Sequence, residues 1–297
     1  MDGPTFINSP PVGSDDLDFF AADARELYRH AKEPIFLFLI IGGEGILMHG
    51  SPQLSCQREC QEQEEHLVTY QLTLPGNDGM VVASDQCENM KPEQGEVRVK
   101  NLVRKVFFSG RFAWAYFGGA LGPIFAEYVS RNLVDDGIIS EGDARTIFEN
   151  CGNLTLAEYT KTMTGPAGKS EVILACGATK RIFRATISSP MTTVEIAAAD
   201  HPCITGNYLN LAAFLPTRFY SRTMSVDKLT SLAAYSIYAA NALEPMYVDG
   251  LDVAIYRDSV GKFEFLDSET CWRNAANTDE RIRSFFQVAS NSLGSQT

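Results

Sequence analysis

Positive charge is in short supply in this sequence. Lys and Arg number 25 against 37 Asp and Glu, giving a net charge of −12 and a pI near 4.8. That balance argues against nucleic acid or an anionic membrane surface as a primary partner. Histidine is scarcer still: His30, His49, His66 and His201 lie far apart and form no Ser/His/Asp arrangement. The seven cysteines are irregularly spaced, unlike the dense sets that staple small secreted domains. Cys56 and Cys60 have no second Cys/His pair at zinc spacing, so neither a metal nor a cofactor is expected. No apolar run approaches the ~20 residues of a spanning helix. The longest, between Pro34 and His49, is interrupted by Glu44 and by glycines, and reads as a buried strand-like segment or part of a pro-sequence. The acidic start, MDGPTFINSPPVGSDDLDFF, has no basic stretch leading into an apolar one. These features predict a protein of the cytoplasm or nucleus.

What is present falls into two parts. Residues 1–66 mix a Pro/Ser/Asp-rich start, a short helical pattern from Leu17 to His30, the apolar run, and the polar stretch SCQRECQEQEEH. They read as an N-terminal extension or pro-sequence. From residue 67 to 297 the rhythm is that of one larger domain. LVTYQLTL and MVVAS flank a PGNDG turn and predict a hairpin, and KVFFS with FAWAYF predicts a second. Helical spacing follows Gly118-Gly119, with Ile124, Phe125, Tyr128 and Leu133 on one face, and returns over 143–150 and 154–163. EVILAC, RIFRATIS and VEIAAA read as strands, 208–214 and 226–243 as helices, and LDVAIYR with KFEFLD as a closing strand pair. Strand pairs alternating with helices in this order predict an α+β fold, a four-layer α/β/β/α sandwich.

Three blocks carry a resemblance. VTYQLTLPGNDGMVVASDQ resembles the opening of mature proteasome β-type subunits, members of the N-terminal-nucleophile (Ntn) hydrolase family. RKVFFSGRFAWAYFGGALG resembles their next strand pair and first helix, and YSIYAANALEP…DGLDVAIYRDSVGKFEFLD their last helix and final strands. The resemblance implies a site. Asp85 fits the family's aspartate after the second strand, and the family's interval counted back from it lands on Thr69, the implied nucleophile. Lys105 fits the lysine that stabilises the developing alkoxide, held charged by Asp85, with Lys100 as the alternative. The loop between Asp85 and Lys105 exceeds the family's usual length by about four residues, which a surface loop tolerates. Gly118 matches the backbone oxyanion donor at a strand-to-helix turn. Thr205, before Gly206, falls near the family's serine.

The sequence also departs from the pattern. Val68 stands where active subunits carry glycine, Met246 where they carry aspartate, and Asp249 where they carry a serine, with Glu244 two residues from Met246. Two readings follow. The first is a non-catalytic or unprocessed subunit of a protein-degradation assembly, partnered by similar subunits or by itself. The second is a threonine-type peptidase or amidase acting on peptides, with Thr69 freed by autocatalytic removal of residues 1–68. A phosphate-loop look-alike, TGPAGKS, has Met163 at its first glycine position and precedes a strand where that motif requires a helix. Nucleotide binding is not expected.

Overall fold

The computed structural model describes residues 69–89, 100–117, 121–137, 139–162, 169–188, 191–197, 201–206 and 211–294, which all fall in one compact unit. Within it lie two five-stranded antiparallel sheets. The first has the order β10-β1-β2-β11-β12, built from β1 (Tyr70–Pro75), β2 (Gly79–Ser84), β10 (Cys203–Gly206), β11 (Asp252–Arg257) and β12 (Phe263–Phe265). The second runs β5-β6-β7-β8-β9 in simple sequence order, from β5 (Val106–Ser109) and β6 (Phe112–Phe117) through β7 (Ser170–Cys176) and β8 (Arg181–Ile187) to β9 (Thr193–Ile196). A separate ribbon pairs β3 (Cys87–Asn89) with β4 (Lys100–Leu102). The chain is thus a mixed α/β structure with antiparallel sheets.

Strand alternation explains where the cores sit. In β1, β2 and β11, Tyr70, Leu72, Leu74, Val81, Ala83, Val253 and Ile255 pack with Leu229, Leu232, Ala233 and Ile237 of helix α4 (Val226–Leu243). In β6 and β7, Phe112, Trp114, Val172 and Leu174 pack with Phe125 and Val129 of α1 (Leu121–Asn132) and Phe148 of α2 (Glu141–Thr162). The residues between them in sequence point the other way. Met80, Val82 and Ala254 from one sheet meet Ala113, Ala115, Ile173 and Ala175 from the other in a third core. β1 and β2 are thus buried at every position, β1 turning Gln71 and Thr73 into the interior opposite its apolar face.

The expected elements map closely onto these, with four differences. The two helical patterns over 143–150 and 154–163 are one helix, α2, because Phe148, Cys151 and Leu156 share a buried face that carries it through Cys-Gly-Asn. The expected helix over 208–214 is a short 3₁₀ turn (Leu211–Ala213) followed by α3 (Phe214–Phe219), its first residues lying outside the described ones. The β3–β4 ribbon and β10 are short and lack strong alternation. A final helix, α5 (Ser268–Gly294), was not expected. It packs on α4 through Trp272 against Tyr238 and through Cys271 and Ala275, few apolar anchors in a polar sequence.

Candidate functional site

Four strand ends converge at one end of the two sheets. Thr69 immediately precedes β1, Asp85 follows β2, Lys105 precedes β5, and Asp252 opens β11. All four are buried, with exposures of 7, 0, 3 and 3%. Polar groups in such a place require partners, and each has them. The Lys105 ammonium donates to Thr69 Oγ1 at 2.8 Å, to Asp85 Oδ2 at 3.1 Å and to the Cys87 carbonyl. Its three N–H donors are thereby all used. Asp85 accepts in addition from the Tyr70 N–H through Oδ1 and the Cys87 N–H through Oδ2, each at 2.8 Å. The carboxylate therefore grips the residue after Thr69 and the ammonium that touches Thr69, fixing both ends of the contact.

The electrostatics are strained. Burial pushes the Asp85 carboxyl up to about 6, against the Lys105 charge and the two backbone donors, which all favour the anion. At neutral pH the Asp85 carboxyl is therefore mostly the anion. An ammonium held on a threonine hydroxyl in a dry site favours the alkoxide that a nucleophile must pass through.

The other expected residues lie as follows. Thr205 is buried on β10, in register with Gln71, and its hydroxyl donates to Gln71 Oε1 at 3.0 Å. Gln71 in turn donates to the Tyr116 carbonyl, so Thr205 belongs to a bridge between β10, β1 and β6. Gly206, opposite Tyr70, lies against the Thr69 carbonyl: a Cβ there would sit 1.9 Å from that oxygen, and its φ is +83°. Gly118, Val68 and residues 1–66 lie outside the described residues. Lys100 is in β4, paired with Asn89, so the lysine that reaches Thr69 is Lys105. Met246 is 55% exposed. The Asp249 carboxylate accepts from the Gly250 N–H, and Glu244 closes α4, its carbonyl accepting from Tyr247 and Val248.

Sequence reasoning missed Asp252 and Gln86. Asp252 Oδ2 accepts from the Lys105 backbone N–H at 2.9 Å and Oδ1 from Gln86 Nε2 at 2.7 Å. The sequence shows Asp252 only as a carboxylate at the head of the strand DVAIYR, with nothing to name its partners. Among the described residues, no cluster of His, Cys, Asp and Glu could hold a metal ion, and no helix is long and apolar enough to cross a membrane.

Fold and site together define a mixed α/β protein with a buried Thr–Lys–Asp constellation where two antiparallel sheets meet. Its sequence matches no protein-family model and no curated protein. Among solved structures it is similar to Anbu (ancestral beta-subunit) from Yersinia bercovieri, with TM-score 0.56 and 16% identity over 73% of this chain and 96% of that one. Anbu from Hyphomicrobium sp. strain MC1 gives 0.51 and 13% over 73% and 97%. The helical assembly of the Anbu complex from Pseudomonas aeruginosa gives 0.55 and 16% over 75% and 96%. These findings correct the expected membership among proteasome β-type subunits of the Ntn family. No family model supports it, and the likeness found is one of fold, to Anbu proteins, at 13–16% identity.

Proposed function

We propose that this protein is a subunit of an Anbu-like, proteasome-related assembly, in which Thr69 is a nucleophile kept latent while residue 68 is attached. The observation that carries this reading is the 2.8 Å contact from the Lys105 ammonium to Thr69 Oγ1, braced by buried Asp85. The layering fits as well: one core between the sheets and one outside each favour a four-layer α/β/β/α sandwich.

The chemistry needs a base. Within the chain, Thr69 N is an amide nitrogen and takes no proton; freed as an α-amine, with a pKa near ~8, it does. It then removes the Oγ proton while Lys105 stabilises the alkoxide, which attacks an amide carbonyl and leaves an acyl ester on Thr69. The proton passes to the departing amine, and water hydrolyses the ester. A non-catalytic subunit is the second reading. It is favoured by the exposed Met246 where the resemblance leads one to expect an acid, and by a Thr205 hydroxyl already committed to Gln71.

Intact-mass measurement and active-site labelling test the two. The full chain should be recovered uncut at Val68–Thr69 and silent towards peptide amides. A chain beginning at Thr69 should acquire one β-lactone adduct on Thr69 and turn over small peptide amides, both abolished by Thr69→Ala. Absence of adduct and turnover in that chain would leave only the non-catalytic reading. Assembly with copies of itself, proposed from the helical assembly of the Anbu complex, is read by light scattering at micromolar concentration. A monodisperse monomer would sink it.

A further inference from the structure

We infer that Asp252 is the positioning residue of the Thr69 site: it tethers the backbone of Lys105 and thereby sets the ammonium on the threonine hydroxyl. The inference builds on the proposed function in that it concerns the same site. Lys105 lies in the short link, residues 103–105, between β4 and β5, and a side chain as free as lysine's reaches a fixed point only if its own backbone is fixed. Within the described residues, Asp252 supplies that fixation. Its register partner is Ser84, the residue before Asp85, so the start of β11 lies beside the strand end that delivers Asp85. From there its two oxygens span the gap to the Lys105 N–H and the Gln86 amide.

The seat for this carboxylate is built on both sides. Gln86 is held by backbone bonds from its N–H to the Asp249 carbonyl and from the Val103 N–H to its carbonyl. Its side chain lies over Gly250, where a Cβ would come within 2.4 Å of Gln86 Oε1, and the φ of +67° at Gly250 suits glycine. Both oxygens of Asp252 are engaged by donors outside Thr69, so it holds the site in place and does not replace the acid expected near Met246. A buried carboxylate is a costly tether. An apolar residue would fill the volume at the head of β11 more cheaply, but it would leave the Lys105 N–H without an acceptor.

The test reads the Lys105 ammonium itself in the full chain, by its ¹H–¹⁵N resonance at low temperature, assigned by its absence in Lys105→Arg. A buried, triply hydrogen-bonded ammonium exchanges slowly enough to give one. We expect Asp252→Ala to abolish that resonance while the chain stays folded. Asp252→Asn should restore it, because its oxygen still meets the Lys105 N–H while the Gln86 amide turns to accept from the new NH₂. An unchanged resonance in Asp252→Ala overturns the inference, and so does equal loss in the Ala and Asn variants, which would make charge the cause. If Asp252→Ala fails to fold, Gln86→Ala is read in its place: weakening supports the tether, and no change overturns it. A chain beginning at Thr69 that hydrolyses nothing would sink the peptidase reading and leave this resonance test intact.

Discussion

Two buried carboxylates in this protein meet opposite fates. Asp85 sits at the convergence of strand ends with no exposure, and the lysine that neutralises it is itself 3% exposed. Glu171, in β7, is 7% exposed, but its partners Lys169 and Arg184 keep 60% and 32% of their side chains in water. Burial works to raise both acids. At Glu171 the hydrogen bonds and charges of two hydrated cations outweigh it and hold the carboxyl below the usual glutamate range. At Asp85 burial wins, and the carboxyl rises to about 6. The difference lies in who loses hydration. A cation that keeps its water pairs at little cost; a cation buried with its anion adds a second desolvation penalty. Glu171 and Arg184 tie β7 to β8 within the second sheet. The Asp85–Lys105 pair concentrates that cost beside a single threonine, and a carboxyl so perturbed marks a candidate functional site.

Removing the cation should separate the two pairs most sharply. Lys105→Ala strands Asp85 in a dry pocket, and the expected loss is about 3–5 kcal/mol, shrinking at acid pH as Asp85 takes up a proton. Arg184→Ala leaves Glu171 with Lys169 and nearby water, and should cost about 1 kcal/mol or less. Urea denaturation of both variants at neutral pH checks the contrast. Equal losses would show that the two carboxylates differ in burial only, not in energetics.

The backbone around Thr69 offers the next break. Gly206→Ala places a methyl group where the Thr69 carbonyl now lies and imposes a left-handed φ on alanine. Strain and overlap together predict a loss of about 2–4 kcal/mol. Because β10 must move away from Thr69, this variant should also lose any β-lactone adduct from a chain beginning at Thr69. A variant as stable and as reactive as the parent would mean that the close approach of Gly206 is dispensable.

How far the sequence foretold this is uneven for physical reasons. Thr69, Asp85 and Lys105 were named from a resemblance to a family's motifs, by counting along the strands beside them, and the structure brings their side chains together. Helix α4 was legible to the residue, since Ser225 caps it and accepts from the Lys228 N–H. Asp252 was not, because its meaning is relational: only the pairing of β11 with β2 brings it to Lys105, a partner 147 positions away. Thr205 was matched by residue type near a glycine, yet the register of β10 on β1 gives its hydroxyl to Gln71. The family expected from three sequence blocks reduced to a likeness of fold, because hydrophobic alternation recurs wherever two such sheets pack and identifies no lineage.

The smallest expected effect is a dependence on pH, and its sign differs between the two carboxylates. The folded Asp85 titrates near 6 and its unfolded counterpart near 3.8, so between those values the native state binds the extra proton. Its stabilising contribution is complete below the unfolded value and is lost as pH rises through about 6, amounting to about 1 kcal/mol between about pH 5 and pH 7. Glu171, lowered in the fold, contributes in the opposite sense: its stabilisation is present above the ordinary glutamate value of 4.5 and is lost on acidification. Carbon-13 titration of the side-chain carboxyls should therefore find Asp85 with a midpoint near 6 and Glu171 below 4.5. Asp85→Asn should flatten the decline of urea stability over the first window, and Glu171→Gln should leave it alone. A hydrolytic activity that depends on the ionised Asp85–Lys105 pair should rise through the same pH, as the carboxylate forms to hold the ammonium on Thr69. An Asp85 midpoint below 4 would remove the stress assigned to this pair and make it a second Glu171, deeply placed but electrostatically at ease.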